Sequence, residues 1–149
     1  MLNECIPFYE AAYTQKLTVH IETAAAVGCR FIGPLKGRQS GPGLAADPLA
    51  AGDGGNFKAD GTPAAGGQVG GVAMGDCAIG AKGGVIRGAG TILPVESGAA
   101  IALNAEVQVD NLGRVITLAA GRAVGVAHEA TGAAGNKIQV ELYATGWLT

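Results

Sequence analysis

The chain has 149 residues and a formal net charge of -2, with 10 basic residues set against 12 acidic ones. This length is enough for one domain with its own core, and the scattered lysines and arginines exclude the basic patch of a nucleic-acid-binding protein. Alanine and glycine make up more than a third of the chain while aromatic residues contribute 5%, so we expect a modest core that burial against partner chains would supplement.

Two classes of targeting segment are missing from the sequence. No apolar run approaches the roughly 20 residues of a membrane span. The N-terminal stretch MLNECIPFYE lacks the basic start and long apolar run of a secretory signal. We therefore expect synthesis in the cytoplasm and no membrane partner.

The cysteines are few and far apart. Cys5, Cys29 and Cys77 form no CxxC pair. An odd number at wide spacing predicts neither a disulfide framework nor a thiolate zinc site. Buried thiols are the expectation.

An N-terminal arm is predicted over residues 1–13, followed by a single β domain over residues 14–149. The arm concentrates apolar and aromatic side chains before the first alternating strand, which suits it to docking on a neighbouring protein. A short helix over residues 8–17 is the alternative, because Tyr9, Tyr13 and Leu17 stand four apart. The predicted docking residues of the arm are Ile6, Pro7, Phe8, Tyr9 and Tyr13.

Alternation of apolar and polar residues with a period of two predicts half-buried strands along most of the chain. The clearest cases are residues 17–22 and 137–142. Residues 106–110 and 115–118 read as a hairpin, with Gly113 free to take the left-handed conformation that the turn needs. Further strands are predicted at residues 27–33, 68–74, 84–93 and 123–127.

Residues 34–67 differ in composition from the rest of the chain. They contain four prolines, nine glycines and few large apolar side chains, so they cannot bury enough surface to hold a core strand. We predict a long insertion loop, with a small hairpin around residues 56–61 as an option within it.

The sequence also contains a weak internal repeat. Residues 71–73 and 125–127 both read Gly-Val-Ala, and each is followed by a glycine-rich loop, a lysine and a second strand. The first of the two loops has no histidine at the place of His128. The role of the loop in the fold therefore does not need that side chain.

Histidines offer no metal site by their pattern. His128-Glu129 begins like the HExxH motif of zinc proteases, but Gly132 stands where the second histidine is needed. His20 lies among the polar positions of its strand, which indicates a solvated side chain. Both histidines are interpreted as structural.

Other chemical motifs are also incomplete. Residues 75–82 resemble a phosphate-binding loop, but Ala81 separates the glycine from Lys82, and Gly83 replaces the serine or threonine. Cys77 follows an aspartate but has no histidine nearby in the sequence to act as its base. We therefore predict no catalytic residue, no metal ligand, no cofactor and no enzyme activity.

The second half of the chain resembles a known family, the head decoration or cement proteins of tailed bacteriophages. The resemblance covers roughly residues 68–145 and is one of pattern: a Gly-Val-Ala strand, then after a glycine-rich loop a second strand, a stretch that leads into a hairpin, Gly-Val-Ala again and a closing alternating strand. The corresponding places are residues 71–73, 84–93, 100–109, 125–127 and 137–143.

This resemblance implies a small β-barrel or β-tulip-like domain, in agreement with the all-β fold, the extended arm and the long Gly/Pro-rich loop predicted from the residues. The loop at residues 34–67 and the tail at residues 144–149 depart from the compact form of the family. It implies a homotrimer on the outer surface of the virion capsid, where the protein would bind the major capsid protein and bridge its subunits. The arm would make the contact, and Trp147 is a second candidate anchor.

Two alternatives remain open at this stage. A small β-barrel module that binds a ligand or a cell surface would use residues 34–67 for recognition. An enzyme would use His128 together with the acidic loops, and loss of an activity in a folded His128→Ala variant would favour it.

Overall fold

All regular secondary structure is β in residues 4–11, 14–37 and 56–143, which are the residues that the computed structural model of the chain describes. This confirms the predicted all-β class. The described segments contain no helix that could span a lipid bilayer. The strands are β1 (Gln15–Ile21), β2 (Phe31–Ile32), β3 (Phe57–Ala59), β4 (Gly71–Ala73), β5 (Lys82–Arg87), β6 (Ile92–Glu96), β7 (Glu106–Val109), β8 (Val115–Thr117), β9 (Gly125–Ala127) and β10 (Lys137–Leu142).

The strands form two five-stranded sheets, one from each half of the chain. The N-terminal sheet has the order β2-β4-β5-β1-β3, and the C-terminal sheet has the order β6-β10-β9-β7-β8. All pairs are antiparallel except β1 with β3. Consecutive strands therefore stay within one sheet until the chain passes from β5 to β6.

The N-terminal sheet closes into a small barrel. After β2 the chain pairs with the segment around β3: Gly33 N donates to Asp60 O at 2.9 Å, and Lys36 N donates to Lys58 O at 2.8 Å. The two edges of the sheet are thereby joined, which confirms the barrel-like architecture. The barrel is filled by buried aliphatic side chains: Val19, Ile21, Ile32, Ala59, Ala73 and Val85.

The hairpin predicted around residues 56–61 is wrong. Its strand, β3, pairs in parallel with β1, with Val19 opposite Phe57 and Ile21 opposite Ala59. Ala59 is fully buried in the barrel, so part of the supposed loop contributes to a core. β3 has only three residues. A strand this short does not show a recognisable alternation of apolar and polar residues in the sequence. The rest of the predicted loop, residues 38–55, lies outside the described residues.

The internal repeat extends over both sheets. The order β2-β4-β5-β1 recurs as β7-β9-β10-β6, so each strand is matched by the one five places later in the chain. Isolated bridges match too: Ala26 pairs with Cys77, and Ile101 pairs with Thr131. The sheets differ in one strand, since β3 adds to β1 whereas β8 adds to β7.

The main core lies between the barrel and the C-terminal sheet. The outer side of the barrel contributes the side chains of Phe31, Val72 and Ile86 to this core. They pack with residues of the C-terminal sheet such as Leu93 and Val140. Strands β2 and β4, together with Val85 and Ile86 of β5, are therefore buried on both faces and consist of apolar residues and glycine.

The turn of the β7–β8 hairpin connects the two sheets. The hairpin is confirmed, with Val107 opposite Thr117, and Gly113 has a φ of 81°. Phe31 N donates to Gly113 O at 2.8 Å. A β-carbon on Gly113 would lie 2.2 Å from Phe31 O, so the contact needs both the conformational freedom and the small size of glycine.

Two other predictions need correction. The strand predicted over residues 84–93 is two strands in different sheets, β5 and β6, and Gly88 and Gly90 take positive φ between them. The strand predicted over residues 27–33 is reduced to β2, because Cys29 has a φ of 62° and turns the chain.

Candidate functional site

The described part of the arm lies along the outer edge of β6. Phe8 N and Tyr9 N donate to Ile92 O at 2.7 and 3.0 Å, and Ile92 N donates to Tyr9 O at 2.9 Å. Pro94 occupies the next position on this edge, where it lacks an N–H that would otherwise need a partner. The arm therefore covers an edge strand that would be open to pairing with other chains. The helix considered for residues 8–17 is wrong, because Tyr9 forms a β-bridge and β1 begins at Gln15.

The base of the arm is anchored in the core. Cys5 is buried in the main core, and its N–H donates to Met74 O at 2.8 Å. Farther along, the Thr14 and Thr91 hydroxyls form a hydrogen bond of 2.6 Å. The backbone on both sides of the bridge to Ile92 is thus tied to the domain.

Three large apolar side chains of the arm, in contrast, face solvent. Phe8 is 77% exposed, Ile6 70% and Tyr9 56%, while Pro7 is partly buried. Burial of large apolar side chains is favourable, so each of the three would gain stability from a surface that covered it. Two further predicted anchors, Tyr13 and Trp147, lie outside the described residues.

A cleft of about 410 Å³ opens beside the arm. It is bounded by Phe8 and Ile92 on one side and by His128, Glu129 and Gln139 on the other. The cleft therefore combines an apolar wall with a polar one.

The polar wall of the cleft holds His128 and Glu129 in structural contacts. His128 Nε2 lies 3.1 Å from Glu141 Oε1, and both side chains are more than a third exposed. Glu129 Oε1 accepts a hydrogen bond from Gln139 N at 3.3 Å. In the described segments, no three His, Cys, Asp or Glu side chains are placed to hold a metal ion.

The surface next to the cleft is acidic. Glu106 and Glu141 flank Val126 in register across neighbouring strands. Burial raises the pKa of Tyr143, and the carboxylates of Glu106 and Glu141 raise it further. A cationic partner would be attracted to this face more than an anionic one.

Comparison with known families gives a match over more than half of the chain. The matched model is that of the phage cement proteins, and it covers residues 59–142. The chain belongs to the phage cement protein family. The match begins at the end of β3 and ends with β10, so it includes the whole C-terminal sheet and the β6 edge on which the arm lies.

A solved structure resembles this cement protein over nearly its whole length. It is the head fibre gp8.5 N base of bacteriophage phi29, with a TM-score of 0.61 and 12% sequence identity. The alignment covers 91% of this chain and 99% of that chain. At this identity the likeness is one of fold. No curated protein matches the chain in sequence.

Three apolar side chains proposed as anchors of the arm are exposed, but the sequence did not indicate where the arm lies. It did not indicate the cleft either, since Phe8 and His128 are 120 positions apart. One available signal was Pro94 within an otherwise strand-like run, because proline in a strand indicates an edge.

Proposed function

We propose that this phage head protein attaches to the outer surface of the assembled capsid and stabilises it by bridging major capsid protein subunits. The observation that carries the proposal is the arm: Ile6, Phe8 and Tyr9 are exposed on a backbone hydrogen-bonded to β6. Membership of the phage cement protein family supports an association with the phage head. The exposed apolar side chains of the arm are suited to making that contact.

A fixed arm favours binding because little backbone freedom is lost when it docks. Ordering of flexible segments opposes association, so a preorganised segment keeps more of its contact energy. Exposed Phe and Ile side chains can fill apolar depressions between capsid subunits. The edge of β6 is already occupied, so side chains, not strand addition, make the contact in this proposal.

Assembly as a homotrimer would multiply the effect. When one arm of a trimer has docked, the other two arms are held near their own binding sites, so their effective local concentration is raised. A protein that binds the assembled shell and not its separated subunits stabilises the shell by mass action. Tyr13 and Trp147 remain proposed as additional anchors.

A second candidate is a ligand-binding or cell-surface-binding module on the virion. The observation that favours it is the cleft beside Phe8, whose apolar wall faces His128 and Glu129. Pockets with mostly apolar walls and a few polar groups are typical of small-ligand sites. A ligand that raises the melting temperature of the isolated protein would support this candidate.

Co-sedimentation with bare heads tests the principal proposal. Purified protein is mixed with expanded heads that lack it, and separately with unexpanded precursor heads, and bound protein is measured after pelleting. We expect saturable binding to expanded heads and a higher temperature for head disruption. Protein that stays in the supernatant with both kinds of head would contradict the proposal.

A further inference from the structure

Two of the three cysteines meet where the arm enters the domain. Cys5 N donates to Met74 O at 2.8 Å and Cys29 N donates to Ala73 O at 3.0 Å, so the two backbones are held by consecutive carbonyl groups at the end of β4. Cys29 Sγ donates to Glu4 O at 3.3 Å, the carbonyl directly before Cys5. The side chains are therefore directed to the same point.

Both cysteines also contact the outer edge of β6. Cys5 Sγ donates to Pro94 O at 3.5 Å, and Glu96 N donates to Cys29 O at 2.9 Å. Both side chains belong to the main core. The two positions are thus fixed against the same two segments of the domain.

The two thiols are close enough to perturb each other, and their mutual interaction makes their pKa values unequal. It lowers the pKa of Cys29 to about 7, and it raises the pKa of Cys5. A thiolate, not a thiol, attacks disulfides. The thiol with the lower pKa, Cys29, is therefore the better attacking group of the pair, and Cys5 is its neighbour.

The third cysteine lies elsewhere. Cys77 belongs to the cluster inside the barrel, and its Sγ donates to the carbonyl of Ala78. Burial raises the pKa of its thiol. It is a matched control, since it is also a free, buried thiol but belongs to the other core cluster.

We propose that Cys5 and Cys29 are a covalent modification site, at which a low-molecular-weight disulfide such as glutathione disulfide oxidises them to an intramolecular disulfide that fixes the arm to the domain. Such oxidants act once a protein leaves the reducing cytoplasm. The chemistry depends on the placement of the two sulfurs and not on the proposed capsid attachment.

The reaction proceeds by thiol–disulfide exchange. The Cys29 thiolate attacks one sulfur of glutathione disulfide, which forms a mixed disulfide and releases one glutathione thiolate. Cys5 loses its proton to solvent and attacks the Cys29 sulfur, and the second glutathione leaves. Two protein thiols are oxidised and one glutathione disulfide is reduced. Because both thiols are buried, the oxidant gains access when residues 4–9 open locally.

Peptide mapping of the full-length native protein tests this site. The native protein is incubated with glutathione disulfide and then unfolded in urea while free thiols are alkylated, and peptides are mapped by mass spectrometry without reduction. We expect a Cys5–Cys29 linked peptide as the main product, an unchanged alkylated Cys77, and a melting temperature raised by roughly 5 to 10 °C that a reductant reverses.

Variants assign the result to the pair. Cys77→Ser should form the same linked peptide, whereas Cys5→Ser should stop at a glutathione adduct on Cys29. If either variant fails to fold, the wild-type peptide map decides by itself. Three thiols that all remain alkylatable, a stable glutathione adduct on the wild-type pair, or a main linkage that involves Cys77 would overturn the proposal.

Discussion

Substitution of Phe8 by alanine separates adhesion from folding. Phe8 is 77% exposed, and the hydrogen bonds that hold the arm at this point come from backbone atoms. Removal of a solvated side chain should change the free energy of unfolding by no more than about 0.5 kcal/mol. Deletion of the arm would be a poorer test, because Cys5 belongs to the core.

The expected loss in binding free energy follows from the apolar surface that the Phe8 side chain exposes. Full burial of a phenylalanine side chain contributes about 1.5 to 3 kcal/mol, and most of that is still available in a side chain that is three quarters exposed. A loss of about 1.4 to 2 kcal/mol corresponds to a dissociation constant that is roughly 10 to 30 times higher for each arm. Several arms on one oligomer would enlarge the effect.

The chain offers two matched controls among its phenylalanines. Phe57 lies on β3, is 37% exposed and is not part of the arm, so Phe57→Ala should leave head binding unchanged. Phe31 is 1% exposed, so Phe31→Ala should lower the free energy of unfolding by about 3 to 5 kcal/mol.

Urea unfolding and titration of bare expanded heads measure the two quantities. If Phe8→Ala binds heads as tightly as wild type, the Phe8 side chain does not contribute to docking. If Phe8→Ala is destabilised as strongly as Phe31→Ala, the arm side chain is part of the core and not a docking group.

Two further predictions concern the fold. Gly113→Ala should lower the free energy of unfolding by about 2 to 5 kcal/mol, because alanine is strained in the left-handed conformation and its β-carbon would clash with Phe31 O. Gly132→Ala is the control and should be nearly neutral, because no atom lies within 4 Å of the β-carbon added there. Equal urea midpoints for the two variants would contradict this prediction. The neighbouring ammonium of Lys36, 2.7 Å away, lowers the pKa of Asp60 below its ordinary value of 3.8, so its stabilising contribution is present above that pH and is lost as the pH falls through the folded-state pKa. Unfolding curves of wild type and Asp60→Asn should therefore differ at neutral pH and converge in acid, and a difference that persists at the lowest pH would refute the assignment.

The strands with one buried face could be predicted, because alternation is visible wherever one face meets the core and the other meets water. β1 and β10 are of this kind, with burial that alternates along the chain. β4 is buried at all three residues, and it was predicted only as part of the longer apolar run at residues 68–74. The closure of the barrel by β3 was missed, because a parallel pair between distant segments leaves no local pattern.

The candidate site was predicted in composition but not in position. The apolar content of the arm is a property of neighbouring residues and can be read directly from the sequence. Its path along β6, and the meeting of Cys5 with Cys29, depend on contacts between segments that are far apart in the chain. Spacing rules for cysteine pairs do not apply to such a contact.

A cryo-electron microscopy map of heads decorated with the protein would show directly whether the arm makes the contact with the shell. We expect the side chains of Ile6, Phe8 and Tyr9 to be buried against capsid protein at sites where its subunits meet. A map in which the protein contacts the shell through another surface, with these three side chains in solvent, would contradict this expectation.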